Sequence, residues 1–221
     1  MQSRPHWAAD RTSDEEVDMR KVILFANTSL DGFMGGKGGD MSWMVDDEEM
    51  DHEFTTDIRH RADTILTGRA TYQSFEGAWP AMAEDPSLTP EMATFATWMV
   101  ETPIVVFSNT EPSLGMKNAR LATLGIAEEV AKLRAEPGGD MVIFGGASTV
   151  EQFVGLGLVD EYWLKVEPVA VGQGLPVFSR LDAPTDLALV WSKVYGSGVV
   201  GLRYETATTP EAIVRSRYVN G

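Results

Sequence analysis

Residues 140–178 read DMVIFGGASTVEQFVGLGLVDEYWLKVEPVAVGQGLPVF. Met141 to Phe144 is a short apolar run of the length of a buried strand. Gly145 and Gly146 break it. From Ala147 to Gly157 the apolar residues Val150, Phe153 and Val154 recur on one helical face, and Tyr162 to Val166 is a second apolar run. Strand, tight Gly-Gly turn, helix and strand make a βαβ unit, for which a right-handed crossover is the rule. The turn is the informative part. Two glycines let the backbone approach a ligand closely. Ser148 and Thr149 fall in the first helical turn, where free N–H groups and the positive end of the helix dipole favour an anion such as a phosphate. A plain tight turn with a Ser or Thr cap fits the same residues, because Gly-Gly carries less than a full dinucleotide fingerprint. The rest of the chain decides between the two.

The size, 221 residues, is enough for one domain with a real core. Hydrophobic residues at 43% and charged residues at 23% are globular values. With no cysteine, disulfides, thiolate nucleophiles and cysteine-ligated zinc are excluded, and a reducing compartment fits. The opening residues lack the apolar segment of a signal peptide, and no run approaches the roughly 20 apolar residues of a membrane helix, so the expected location is cytoplasmic. A formal net charge of -15 opposes nucleic acid and anionic membranes, which are held chiefly by Lys and Arg. A small phosphorylated ligand needs only a local positive site.

Taken in order, residues 1–19 are polar and acidic and predict a flexible arm. Val22 to Ala26 is an apolar strand. The glycine-rich stretch GFMGGKGGDM (32–41) predicts a mobile loop that can close over a ligand, and Trp43 follows it. From Asp46 to about His60, Met50, Phe54 and Ile58 share one helical face, with Asp47 and Asp51 one turn apart on an adjoining stripe. Either carboxylate could protonate or orient a substrate, and either could belong to a solvated acidic face. Thr64 to Thr67 is a buried strand, and Gly68-Arg69-Ala70-Thr71 opens the next helix. An arginine at such a corner suits phosphate, because its guanidinium fork binds bidentately. Trp79 to Glu101 looks like an insertion, with Thr89 and Pro90 starting a helix. Ile104 to Phe107 is a third strand, ending at Ser108-Asn109. Ile126, Val130 and Leu133 mark another amphipathic helix. Leu187–Tyr195 and Val199–Thr206 flank Gly196-Ser197-Gly198 as an antiparallel hairpin. The expected organisation is an arm (1–19), a single α/β domain (20–208) and a tail (209–221). Its core is a mostly parallel mixed sheet with helices on both faces and the hairpin at its edge. Ala26, Gly68, Ser108 and Gly145 lie at or just after expected strand ends, where ligands bind in such sheets.

Several stretches carry a resemblance: SLDGF (29–33), ADTILTGRATYQSF (62–75), IFGGAST (143–149) and, most specific, LVDEYWLKVEPVAVGQGLPVF (158–178). Across residues 20–205 the chain resembles the dihydrofolate reductase-like superfamily, and within it the stand-alone proteins related to the RibD C-terminal reductase domain of riboflavin biosynthesis. The resemblance implies a three-layer α/β/α fold, NADPH as cofactor and a homodimer. Ala26 would contact the nicotinamide end, and Trp43 would sit where cofactor and substrate meet. Gly68, Arg69 and Thr71 would hold the adenosine-phosphate side, with Arg69 on the 2'-phosphate. Ser108 would touch the adenosine ribose. Gly145, Gly146, Ala147, Ser148 and Thr149 would cradle the pyrophosphate. Asp31 in the SLDGF stretch would face substrate. The related riboflavin reductases tend to carry a substrate-contacting glutamate just before the phosphate-turn glycine; here Phe144 stands there. In dihydrofolate reductase a helical acid holds the pterin; here Asp47, Glu48 and Asp51 compete for that role, with Asp47 and Asp51 taken as candidates. The implied activity is hydride transfer to a ribosylaminopyrimidine or pterin-like substrate, in the manner of a 5-amino-6-(5-phosphoribosylamino)uracil reductase. Dihydrofolate reductase activity and a non-catalytic nucleotide-binding relative are the alternatives. No His-x-Glu or Gly-x-Ser-x-Gly pattern supports a metal-dependent or nucleophilic hydrolase.

Overall fold

Along the central strands, alternate side chains go to opposite faces of one sheet, and both faces are apolar. Val22, Leu24 and Ala26 join one buried cluster while Ile23 joins the other. Met141 and Ile143 likewise separate from Val142, and Tyr162 and Leu164 from Trp163. Strands apolar on both sides need a helical layer on each. The computed structural model describes residues 19–207; the expected arm, apart from Met19, and the expected tail lie outside the described residues.

The elements in chain order are β1 (Val22–Ser29), β2 (Phe33–Gly35), α1 (Glu48–Arg61), β3 (Ala62–Gly68), α2 (Arg69–Ala83), α3 (Pro90–Glu101), β4 (Ile104–Phe107), β5 (Ala119–Leu121), α4 (Ile126–Arg134), β6 (Asp140–Ile143), α5 (Ala147–Gly155), β7 (Glu161–Glu167), β8 (Leu175–Pro176), β9 (Leu187–Val194) and β10 (Val200–Thr206). Eight strands form one sheet in the order β5-β4-β3-β6-β1-β7-β10-β9. From β5 to β7 every neighbouring pair is parallel, and β10 runs antiparallel to both of its neighbours. Helices α4 and α5 cover one face through Val130, Leu133, Val150, Phe153 and Val154. On the other face, α1, α2 and α3 contribute Met50, Phe54, Ile58, Tyr72, Phe95 and Met99. This is the expected α/β/α arrangement with its C-terminal hairpin.

Local chemistry fixes the helix ends. Asp47 caps α1 by accepting from the Met50 N–H at 2.9 Å. Glu48, Glu49 and Asp51 fall in its first turn and Arg59, His60 and Arg61 in its last, which complements the helix dipole. Thr89 caps α3, with Pro90 as its first residue.

Three details differ from the sequence reading. β1 runs to Ser29, because Asn27, Thr28 and Ser29 pair with Lys165, Val166 and Glu167; polar residues continue the ladder where hydrophobicity gives no sign of it. α2 passes through Trp79 and carries Pro80 inside it, so Trp79–Ala83 is no insertion. The glycine-rich segment is also anchored. β2 pairs antiparallel with β8, Leu30 N–H donates to Val169 O at 2.7 Å, and Val177 N–H to Gly32 O at 3.0 Å.

At the opposite end of the sheet Glu161 is 3% exposed. It accepts from Arg61 (2.8 Å to each oxygen), Lys21 (3.0 Å) and the Trp163 indole N–H (3.0 Å). Burial alone would raise its pKa, but Arg61 first and then Lys21 hold it down to about 2. Among the described residues, no helix is long and apolar enough to cross a membrane.

Candidate functional site

Helices that follow parallel strands begin at the carboxyl rim of the sheet, and helices that precede them begin there too when they run back across it. One consequence is a cavity of about 530 Å³ on this rim, into which three helix N-termini open. Gly68 starts α2, Gly125 starts α4 and Gly146 starts α5, and none of the three has a side-chain cap. Glycine caps leave first-turn N–H groups free for a ligand. Among the described residues, Arg69 is the single Lys or Arg lining the cavity, and no carboxylate lines it. In a chain with a net charge of -15, that is a local reversal of sign.

Two contacts join the corners. The Gly146 N–H donates to Thr71 Oγ1 at 2.9 Å, so α2 and α5 are stitched at their first turns. A Cβ on Gly68 would collide with the Thr149 hydroxyl, so only glycine permits the close approach of β3 to α5.

Of the expected cofactor residues, Gly68, Arg69, Thr71, Ser108, Gly146, Ser148 and Thr149 line this cavity together. Gly145 and Ala147 flank Gly146 without lining it. The sequence reading missed Thr110, Leu124, Gly125, Gln152 and Leu156. Gln152 lies one turn beyond Ser148, which is a usable signal. Leu124 and Gly125 arrive only through the tertiary placement of α4. Ala26 is 2% exposed and lies within β1, opposite Leu164, not at a strand end. The Trp43 indole donates to Asp40 O at 2.8 Å.

The expected acids divide by their partners. Asp31 accepts from the Ser29 hydroxyl (2.7 Å) and from the N–H groups of Gly172 (2.8 Å) and Val171 (3.1 Å), which keeps its pKa low; it clasps two loops. Asp47 accepts from the Ser197 hydroxyl and the Met50 N–H, and its pKa is lowered in that order of cause. Asp51 differs: burial raises its pKa in spite of Lys165, whose ammonium stands 3.2 Å from Oδ1. Behind Lys165 lies Glu167, wholly buried, with Oε2 accepting from Val45 N–H at 3.1 Å and Oε1 without a hydrogen-bond partner among the described residues, 3.8 Å from the Lys165 ammonium. Burial raises the Glu167 pKa.

Asp51 also lines a second cavity, of about 670 Å³, between α1 and α3. Phe144, the residue before Gly145, lies within 6.5 Å, centroid to centroid, of Phe25, Phe75, Phe95 and Trp98. Phe95 in turn lines the second cavity. An aromatic patch thus runs from the Gly-Gly corner to the Asp51 side.

The fold has solved counterparts. A pyrimidine reductase-like protein from Corynebacterium diphtheriae superposes with a TM-score of 0.58 at 16% identity, over 86% of this chain and 93% of its own. Dihydrofolate reductase from Enterococcus faecalis, solved with NADP(H), gives 0.53 at 15% identity, over 84% and 96%. At these identities the likeness is one of fold. In sequence the chain is 35% identical over 190 residues to the uncharacterized protein YyaP of Bacillus subtilis, covering 85% of this chain and 96% of that one. The RibD C-terminal domain model matches residues 20–201, and the chain therefore belongs to the RibD C-terminal domain family.

Proposed function

We propose that the protein is an NADPH-dependent reductase that passes a hydride to a C=N bond of a ribosylaminopyrimidine or pterin-like substrate. The observation that carries this reading is the carboxylate-free cavity at the sheet rim, where three uncapped helix N-termini and Arg69 converge. That donor set fits a dinucleotide carrying several phosphates. Arg69 holds the 2'-phosphate, and the first turns of α5 and α2 hold the pyrophosphate. The coenzyme supplies the hydride; the protein binds, orients and provides the proton. Asp51 is the better proton source of the two candidates. Its raised pKa keeps the acid form available nearer neutrality, whereas the Asp47 carboxylate is engaged by Ser197 and the α1 N-terminus.

Titration of NADPH and NADH against intrinsic fluorescence tests the reading. Both should bind, NADPH more tightly. Arg69→Gln should weaken NADPH by about 10- to 100-fold, the range for losing a charge-assisted bidentate contact, and leave NADH nearly unchanged. Lack of binding by either nucleotide rejects the proposal. Asp51→Asn should keep coenzyme affinity and lower turnover by roughly a hundredfold or more. A variant that turns over normally removes Asp51 from the proton step.

A further inference from the structure

The reductase reading leaves open whether the substrate carries a phosphate of its own. We infer that the cavity between α1 and α3 takes a flat, unphosphorylated amino-heterocycle and discriminates against its phosphate ester. This rests on the reductase reading and narrows it.

The cavity has the size of a small-molecule site. Leu88, Met92 and Phe95 give it an apolar wall, and the ring of Phe95 meets Phe144 edge-on at 82°. Phe144 continues the apolar surface to the Gly-Gly corner, so a planar ring in this region meets aromatic side chains. The charge runs opposite to that of the coenzyme cavity. Glu48, Glu49, Asp51 and Glu91 line the space, and among the described residues neither Lys nor Arg does. Lys193 pairs with Glu49 but is shared with Glu53, and Lys165 pairs with Asp51. Glu48 and Glu91 have no ion-pair partner among the described residues. His52 is the remaining titratable side chain on the wall.

The helix ends make the same distinction independently. At the coenzyme cavity all three N-termini are glycine-capped and open. Here both neighbouring N-termini are closed. The Asp47 carboxylate occupies the start of α1. The Thr89 hydroxyl accepts from the Met92 N–H at the start of α3, and Pro90 there has no N–H to give. A phosphate dianion would find carboxylates, closed helix ends and no free cation, and would lose its hydration without replacement. An amino or amidine N–H finds acceptors in Asp51 and Glu91.

Calorimetry with a matched pair, a ribitylamino-uracil and its phosphate monoester, tests this on the NADPH-saturated protein. The phosphate-free ligand should bind at least about tenfold more tightly, and the gap should narrow as salt is added. The double variant Glu48→Lys, Glu91→Lys should erase or reverse the gap while leaving NADPH affinity unchanged. Should that variant fail to fold, Glu48→Gln with Glu91→Gln should halve the gap or better. Equal or tighter binding of the ester, a gap indifferent to these substitutions, or no binding of either ligand to the NADPH complex overturns the inference. Failure of NADPH itself to bind overturns the reductase reading instead.

Discussion

Replacing Gly146 with aspartate is expected to leave the protein at least as stable and to abolish coenzyme binding. The backbone there has φ -67° and ψ 159°, an extended conformation open to any L-residue. An added Cβ meets only the Thr71 hydroxyl, at 3.5 Å, an ordinary contact. Aspartate is moreover a preferred N-cap, worth a few tenths of a kcal/mol over glycine. The new carboxylate would satisfy the first turn of α5 from within and place a negative charge where a pyrophosphate is to sit. Like charges opposed in a binding site cost several kcal/mol, so NADPH affinity should fall by about a hundredfold or more. Thermal unfolding and a nucleotide titration on the same preparation give both halves of the result. Retained binding would falsify the assignment of this corner to an anion. Lost binding with an undiminished melting temperature separates damage to the site from damage to the fold.

Glu161 carries the second large effect, on stability. Glu161→Ala removes the carboxylate that Arg61, Lys21 and the Trp163 indole share and leaves those donors partly unpaired in the interior. Breaking one side of a buried ion pair costs about 3–5 kcal/mol, which for a chain of this size lowers the melting temperature by roughly 10 °C. The pH dependence identifies the cause. Because the folded pKa is depressed to about 2, the unfolded chain takes up the proton first as pH falls. The stabilisation from Glu161 is therefore complete above the ordinary glutamate pKa of about 4.3, and is lost between there and about pH 2. Roughly 3 kcal/mol is involved. The gap between wild type and variant should close over that interval. A gap that stays constant with pH would mean the loss comes from packing alone.

The parts of the fold that the sequence shows plainly are those where side-chain period and backbone punctuation agree. Met141–Ile143, Gly145-Gly146 and the Val150, Phe153, Val154 stripe specify a strand, a corner and a helix without help from the rest of the chain. What was hidden depends on partners far away in sequence. β5 is three residues long and β8 two, too short for a period to register. The polar end of β1 is a strand only because β7 lies beside it. The site divides in the same way. The corners at Gly68 and Gly146 are legible because glycine beside a strand end has few other uses. Leu124 and Gly125 are not, since nothing local tells the start of α4 from any other loop-to-helix turn. One-turn spacing leaves Asp47 and Asp51 equivalent. Contacts more than 100 residues downstream separate them: the Ser197 hydroxyl holds the Asp47 carboxyl low, while burial raises that of Asp51 against the pull of Lys165.

The anchoring of the glycine-rich segment sets how the rim can open. Residues 30–36 and 169–177 are joined by the short β2–β8 ladder, by the Leu30 and Val177 amide bonds and by both oxygens of Asp31. The two ribbons share these bonds, so lifting one means breaking its ladder to the other. A protease cut between Gly36 and Met41 should therefore loosen Pro168–Val177 as well, and hydrogen exchange at the Val171 and Gly172 amides, which Asp31 holds from 140 residues earlier in the chain, should report it.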